Sequence, residues 1–226
     1  MFWRLAAYAV HGFTALGVLL GFQALIAAAA HRWEEAFAWL GVALIVDAID
    51  GPLARRIGVV EKLPRFSGER LDLIIDYFTY VVVPAYIIYE APLVPPGLAF
   101  AAAAFILLAS LFHFMDSKSK TEDGFFVGFP AVWNIVALYL LIFPIPPGLA
   151  FVAILILALL TFLPLKWIHP VRVERFRMVT FAVVAAWTAA TVVALIEGFP
   201  ASLAVQIVIA ASTVYLVGVG LVRSIR

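Results

Sequence analysis

The sequence predicts an all-α fold: a polytopic membrane helix bundle with about eight transmembrane helices and with both termini in the cytoplasm. Of the 226 residues, 65% are hydrophobic and 13% are charged, which is more apolar sequence than a soluble core of this length requires. The mean hydropathy is +1.10. The apolar residues also fall into runs of about 20, the length that a helix needs to cross a bilayer. We therefore expect an integral membrane protein that forms one domain over residues 1–226.

Polar and Pro/Gly-rich breaks divide the chain into the candidate spans. In order, the spans are residues 5–30, 36–55, 69–90, 97–115, 125–143, 148–165, 178–197 and 202–222. The breaks read HRWEE, RRIGVVEKLPRFSGER, EAPLVPPG, HFMDSKSKTEDG, PIPPG, PLKWIHPVRVERFR and EGFP. The first span is not followed by a small-residue cleavage site, so we interpret it as a retained helix rather than a signal peptide.

The distribution of basic residues orients the chain. With the N-terminus in the cytoplasm, Arg32 is the one residue among 15 Lys and Arg that falls outside. This bias follows the positive-inside rule and predicts a multi-pass membrane protein in which any chemistry on soluble substrates takes place at the cytoplasmic face. The absence of cysteine excludes disulfides, thiolate nucleophiles and Cys-ligated metals. We expect membrane lipids as partners and no nucleic acid.

Four aspartates stand in apolar surroundings where the second span ends and the third begins. Asp47 and Asp50 are three residues apart, and Asp72 and Asp76 are four apart. Either spacing puts a pair on one face of a helix. Because consecutive spans are antiparallel, the two faces can meet near the cytoplasmic boundary.

Clustered carboxylates at a membrane boundary repel one another unless cations are present. Hard oxygen ligands suit Mg²⁺, Mn²⁺ or Ca²⁺, and a pair of such ions can stabilise a phosphate-type transition state. An alternative is a set of structural ion pairs with Arg55, Arg56 and Arg70.

These residues resemble the signature of the CDP-alcohol phosphotransferase family, D-x2-D-G-x2-A-R-…-G-x3-D-x3-D. The signature positions are Asp47, Asp50, Gly51, Ala54, Arg55, Gly68, Asp72 and Asp76. The resemblance implies two divalent metal ions (Mn²⁺ or Mg²⁺) held by the aspartates, with Asp76 also deprotonating the acceptor hydroxyl. It also implies that Gly51, Ala54, Arg55 and Gly68 line the CDP site. His11 and Thr14 in the first span either contact the cytidine or form helix-packing hydrogen bonds.

Residues 56–67 separate Arg55 from Gly68. This spacer is longer than the one in the family's common pattern. This spacer is similar to the bacterial phosphatidylcholine synthase branch of the family. So are the stretches AVHGFTALG, SKTEDGFFVGFPAVWN and HPVRVERFR. The resemblance implies the transfer of a phosphatidyl group from CDP-diacylglycerol to choline with release of CMP, and a possible homodimer.

Choline is a quaternary ammonium, so aromatic faces and acids are the groups expected to bind it. The candidates for this pocket are Tyr77, Tyr80, Phe125, Phe129, Trp133, Asp116 and Asp123. Interfacial aromatic belts are the alternative explanation for these rings. The basic residues Lys118, Lys120, Arg172, Arg175 and Arg177 could instead bind an acceptor phosphate. That reading favours glycerol 3-phosphate or inositol phosphate as the acceptor; serine is a further alternative.

An ion-coupled transporter is the rival from another class, because it would also contain several spans and buried acids. Against it, the sequence has no internal repeat and no matched pair of broken spans. The acids also cluster near one face of the membrane rather than at its midplane.

Overall fold

The computed structural model describes residues 2–117, 126–164, 166–167 and 177–224, which are almost entirely helical. The helices are α1 (Phe2–Ala29), α2 (Trp33–Ile57), α3 (Val59–Lys62), α4 (Gly68–Asp76), α5 (Val83–Glu90), α6 (Ala99–Met115), α7 (Trp133–Ile142), α8 (Pro147–Leu160), α9 (Arg177–Glu197) and α10 (Leu203–Ser224). A π-helix (Tyr77–Val82) joins α4 to α5, and a 3₁₀ turn (Pro96–Leu98) precedes α6. Two-residue strands β1 (Phe126–Val127) and β2 (Lys166–Trp167) pair antiparallel.

The helices confirm the predicted all-α membrane bundle. Within the described residues, five segments are long and apolar enough to cross a membrane: Trp3–Ala29, Trp33–Ile57, Gly68–Glu90, Pro96–Met115 and Met178–Glu197. Three shorter apolar helices are Trp133–Ile142, Pro147–Leu160 and Leu203–Gly218. Together, these long and short segments match the predicted spans one to one. The number of crossings, the cytoplasmic termini and the single domain stay predictions.

The fifth span begins later than predicted, at Trp133 rather than near residue 125. Gly128 has φ +78° and Ala131 has φ +54°, neither of which an α-helix allows. A Cβ at Gly128 would also collide with the backbone carbonyl of Thr161, at the end of α8. The segment before α7 therefore lies against the end of α8 instead of extending the helix.

In the part of the chain that the structure describes, the buried residues form two separate apolar clusters. The larger one joins α1, α2, the π-helix and α5 to α10. The smaller one contains Ala7, Val10, Val59 and Leu63, and so packs α3 against the start of α1. This packing holds the connection between α2 and α4 close to α1.

Two glycines allow α1 to cross closely over α4 and the π-helix. A Cβ at Gly17 would lie 2.7 Å from Cγ2 of Ile75. A Cβ at Gly21 would lie 2.8 Å from Cδ1 of Phe78 and 2.9 Å from Cγ2 of Thr79. The pair Gly17 and Gly21 has the small-xxx-small spacing that lets membrane helices approach closely.

Polar side chains join the last two long helices to the rest of the bundle. The Tyr139 hydroxyl in α7 lies 2.5 Å from the Thr213 hydroxyl in α10. It also accepts a hydrogen bond of 2.8 Å from the Trp187 indole in α9. This network is remote in sequence from the aspartates and serves helix packing.

Candidate active site

Three aspartates come together where α2 ends and α4 begins. Carboxylate oxygens of Asp47, Asp50 and Asp72 lie within 4.8 Å of one another. Asp50 is only 6% exposed, although a carboxylate in an apolar setting is costly without a cation or hydrogen-bond donors. The arrangement is therefore suited to binding a cation.

A small cavity at this point is lined by residues of α1, α2, α4 and the π-helix. Its lining comprises Thr14, Gly17, Ala43, Val46, Asp47, Asp50, Asp72, Ile75, Asp76 and Thr79. Asp76 borders the cavity beside the group of three. All four predicted aspartates therefore line one cavity. Among the described residues, the carboxylates of Asp47, Asp50 and Asp72 are the ones that lie close together.

Local sequence explains how the chain turns between the two pairs of aspartates. Gly58 ends α2 in the left-handed conformation, and its N–H donates to the carbonyls of Ala54 and Arg55. Ser67 then begins α4 as its N-cap, accepting a hydrogen bond of 3.2 Å from the Arg70 N–H. The reversal returns the chain antiparallel to α2, which puts Asp72 beside Asp50.

The π-helix that follows Asp76 directs two further side chains toward the site. The Tyr80 hydroxyl donates a hydrogen bond of 2.8 Å to Oδ2 of Asp47. Thr79 borders the cavity, and its hydroxyl donates to the Ile75 carbonyl at 3.0 Å. Single π-helical turns inside α-helices are frequent at functional sites.

The residues predicted for CDP binding adjoin the aspartates on the side of the α2–α4 connection. His11 packs on Gly68, where a Cβ would lie 3.1 Å from Cε1 of His11. Nε2 of His11 is buried and has no hydrogen-bond partner among the described residues. The Thr14 hydroxyl borders the cavity and donates to the Val10 carbonyl at 3.2 Å.

Two more of these residues lie on the last turns of α2. The guanidinium of Arg55 lies over Gly51, 3.4 Å from where a Cβ would stand. Ala54 packs against the smaller apolar cluster. Their roles in binding CDP stay predictions.

Those of the predicted choline residues that the structure describes make several different contacts. Trp133 is fully buried and its indole donates to Ser110 at 2.8 Å, while Phe129 packs edge-on against it. Tyr77 donates to the Leu107 carbonyl at 3.0 Å. Tyr80 contacts Asp47, as described above.

Asp116 is exposed at the end of α6. Phe125 and Asp123 lie outside the described residues, as do the basic residues Lys118, Lys120, Arg172 and Arg175. The side chain of Arg177 is likewise outside them.

Sequence reasoning missed several residues that line the cavity: Gly17, Ala43, Val46, Ile75 and Thr79. Gly17 carried a detectable signal, its four-residue spacing from Gly21 in an apolar helix. Ala43, Val46 and Ile75 have no such signal, because apolar residues occur throughout these spans.

The donor set fits a divalent cation of the Mg²⁺ or Mn²⁺ type, because all of its ligand atoms are carboxylate oxygens. Such a cluster at one end of a membrane helix bundle is the arrangement expected of a membrane enzyme that uses a divalent metal.

Comparison with known sequences gives the family. The sequence model of the CDP-alcohol phosphatidyltransferase family matches residues 9–164, so the chain belongs to that family. The match confirms the resemblance carried by the signature.

Relatives of known name match over most of the chain. A protein of Agrobacterium fabrum is 42% identical over 217 residues, which cover 96% of this chain and 90% of the relative. One of Pseudomonas aeruginosa is 40% identical over 221 residues, 97% of this chain and 92% of the relative. One of Mesorhizobium japonicum is 45% identical over 193 residues, 84% of this chain and 71% of the relative. Each of the three is named phosphatidylcholine synthase.

Proposed function

We propose that this protein transfers the phosphatidyl group of CDP-diacylglycerol to choline, giving phosphatidylcholine and CMP. The observation that carries the proposal is the cluster of Asp47, Asp50 and Asp72 in the family's signature frame. The shared name of relatives that match most of the chain supports choline as the acceptor.

Asp47, Asp50 and Asp72 would hold the divalent metal, and we infer that Asp76 completes a site for two Mn²⁺ or Mg²⁺ ions. When bound, these ions supply positive charge that neutralises the pyrophosphate of the donor and the CMP that leaves. The carboxylates supply the hard oxygen ligands that such ions prefer.

The reaction is an in-line substitution at the phosphorus that carries diacylglycerol. The choline oxygen forms a bond to this phosphorus while the bridging bond to the cytidylyl phosphate breaks and CMP leaves. Asp76 accepts the proton of the choline hydroxyl, which is otherwise a poor nucleophile near neutral pH. Most of the acceleration comes from holding the two substrates in line and from charge stabilisation.

The nucleotide end of the donor would lie against the α2–α4 connection. Gly68 is the first residue of α4, and helix N-termini favour phosphate groups because their N–H groups lack intrahelical acceptors. Arg55 can pair with a phosphate in bidentate fashion. His11 and Thr14, which adjoin Gly68 and the aspartates, would contact the cytidine or its ribose.

We infer that the site faces the cytoplasm from the inner membrane. Basic residues at this end of the described bundle include Arg4, Arg55, Arg56, Lys62, Arg65 and Arg70. The Lys62 ammonium lies 5.5 Å from the ring of Trp3, which joins the start of α1 to the α2–α4 connection. Arg32 stands at the opposite end, between α1 and α2, so the positive-inside rule favours this orientation. We propose a single domain; a homodimer stays a prediction.

An acceptor assay tests the proposal. Purified protein with CDP-diacylglycerol and Mn²⁺ is expected to release CMP when choline is added, and to stop when EDTA removes the metal. The measurement is CMP release with choline, serine, glycerol 3-phosphate, inositol phosphate or no acceptor, followed by Mn²⁺ readdition after EDTA.

Each result of this assay has a definite meaning. Release with serine or with a phosphorylated acceptor, but not with choline, would overturn the choline assignment and keep the family. Choline uptake into vesicles without CMP release would favour the transporter.

Arg55→Lys is expected to lower kcat/KM for CDP-diacylglycerol by about 10- to 100-fold. Lysine keeps the charge but loses the planar fork that pairs with a phosphate. Arg56→Lys is the matched control, since Arg56 is also exposed in the last turn of α2. Equal losses in the two variants would argue that the change reflects surface charge rather than phosphate binding by Arg55.

A further inference from the structure

The hydrogen bond between Tyr80 and Asp47 links two segments far apart in sequence. The two residues are 33 positions apart, and the hydroxyl lies 2.8 Å from Oδ2 of Asp47 in a partly buried setting. Asp47 belongs to the group of three aspartates suited to binding a cation. Tyr80 therefore contacts the site through one of its expected metal ligands.

A phenol hydroxyl at this position constrains the carboxylate. One oxygen of Asp47 accepts the hydrogen bond, so the plane of the carboxylate is held in one orientation relative to Asp50 and Asp72. Partners of this kind orient metal-ligating side chains, and their loss weakens metal binding by about 10- to 100-fold in characterised sites.

The helix geometry around Tyr80 supports a positioning role. Tyr80 lies in the π-helix that begins directly after Asp76. Within that segment, Thr79 borders the aspartate cavity and Tyr80 reaches Asp47 on α2. The π-helix thus turns two consecutive polar side chains toward the same site.

We propose that Tyr80 is a positioning residue of the metal site, which acts by orienting Asp47 through its hydroxyl and not by presenting its ring to choline. This inference rests on the proposed function for its place in the reaction, but its central claim concerns metal binding alone. Orienting Asp47 requires the hydroxyl of Tyr80, whereas binding choline would require its aromatic face.

Tyr80→Phe separates these roles, because it removes the hydroxyl and keeps the ring. We expect the dissociation constant for Mn²⁺ to rise by about 10- to 100-fold. It is measured on the purified protein without substrates, from the electron paramagnetic resonance signal of unbound Mn²⁺. At saturating Mn²⁺, most of the activity is expected to return, and KM for choline is expected to stay within about twofold, since cation–π attraction needs only the ring.

Tyr139→Phe is the matched control. It also removes a tyrosine hydroxyl that bonds to neighbouring helices, but Tyr139 bonds to Thr213 and Trp187 rather than to an aspartate. Its Mn²⁺ dissociation constant is expected to equal that of the wild type. A similar rise in both variants would overturn the proposal, because general loosening of the bundle would then explain the effect.

A double variant tests whether Tyr80 acts through Asp47. Asp47→Asn alone should weaken Mn²⁺ binding, and adding Tyr80→Phe should weaken it little further, because the partner that Tyr80 orients has already been altered. Fully additive losses would overturn this route of action. The comparison needs the Mn²⁺ dissociation constants of the wild type, of both single variants and of the double variant.

The remaining outcomes are also decisive. An unchanged Mn²⁺ affinity in Tyr80→Phe, with a raised choline KM in Tyr80→Leu, would assign the residue to choline instead. A wild type that binds neither Mn²⁺ nor Mg²⁺ would overturn both the positioning role and the proposed function. Normal Mn²⁺ binding with no choline-dependent CMP release would overturn the proposed function. The positioning role of Tyr80 would then be decided by the Mn²⁺ dissociation constant of Tyr80→Phe alone.

Discussion

Asp76→Asn is expected to lower kcat for choline-dependent CMP release by about 10²- to 10⁴-fold, the usual contribution of a general base. Asparagine has nearly the same shape as aspartate but cannot take the proton of the choline hydroxyl. Asp76 borders the cavity beside Asp47, Asp50 and Asp72, so it is positioned to act on an acceptor bound there. The measurement is single-turnover CMP release at saturating donor, choline and Mn²⁺.

Glu69→Gln is the matched control for Asp76→Asn. Glu69 is an exposed acid in the first turn of the same helix, α4, and it is not part of the cavity lining. The Glu69→Gln variant should release CMP at the wild-type rate. This result would show that losing one negative charge from α4 is not sufficient to lower kcat. Full activity of Asp76→Asn in folded protein would contradict the assignment of Asp76 as the base.

A feature can be predicted from the sequence when the interaction that produces it is local along the chain. The spacings of Asp47 with Asp50 and of Asp72 with Asp76 are local, and a helix turns such spacings into shared faces. The antiparallel order of consecutive spans is nearly as simple. Sequence alone could therefore predict that these acids meet, and the structure brings three of them within 4.8 Å.

The environment of Tyr80 could not be predicted in the same way. Its bond to Asp47 requires a π-helical turn and a particular rotation of that segment against α2. Neither leaves a spacing in the sequence, so an aromatic residue near the acids is equally compatible with a choline pocket. Trp133 shows the same difficulty, since its full burial and its bond to Ser110 depend on how α6 packs against α7.

Hydropathy alone gives the wrong start for the fifth span because it does not detect backbone constraints. Residues 125–132 are mostly apolar and extend the hydrophobic run. Gly128 nevertheless has a positive φ and lies against the Thr161 carbonyl. Pro130 also lacks the N–H that a helix interior needs. The G-F-P sequence was the available signal for this break.

Gly17→Leu is expected to destabilise the protein and to weaken Mn²⁺ binding together. A Cβ at this position would already lie 2.7 Å from Cγ2 of Ile75, a buried residue between Asp72 and Asp76. The larger side chain must push α4 away from α1, and overpacking of this kind costs about 1–3 kcal/mol or more. Because Asp72 lies on the displaced helix, its distance from Asp47 and Asp50 would change. A lower thermal midpoint in detergent and a raised Mn²⁺ dissociation constant are the measurements.

Two comparisons attribute this effect to the contact between Gly17 and Ile75. Gly41→Leu adds the same side chain to α2 at a glycine with open space around it, so neither quantity should change appreciably. Gly17→Ala combined with Ile75→Ala removes the colliding Cγ2. The double variant should therefore be more stable than the sum of the two single losses predicts. Additive losses would instead mean that α1 and α4 relax independently at this crossing. The close approach of α1 would then not be what holds Asp72 beside the two aspartates of α2.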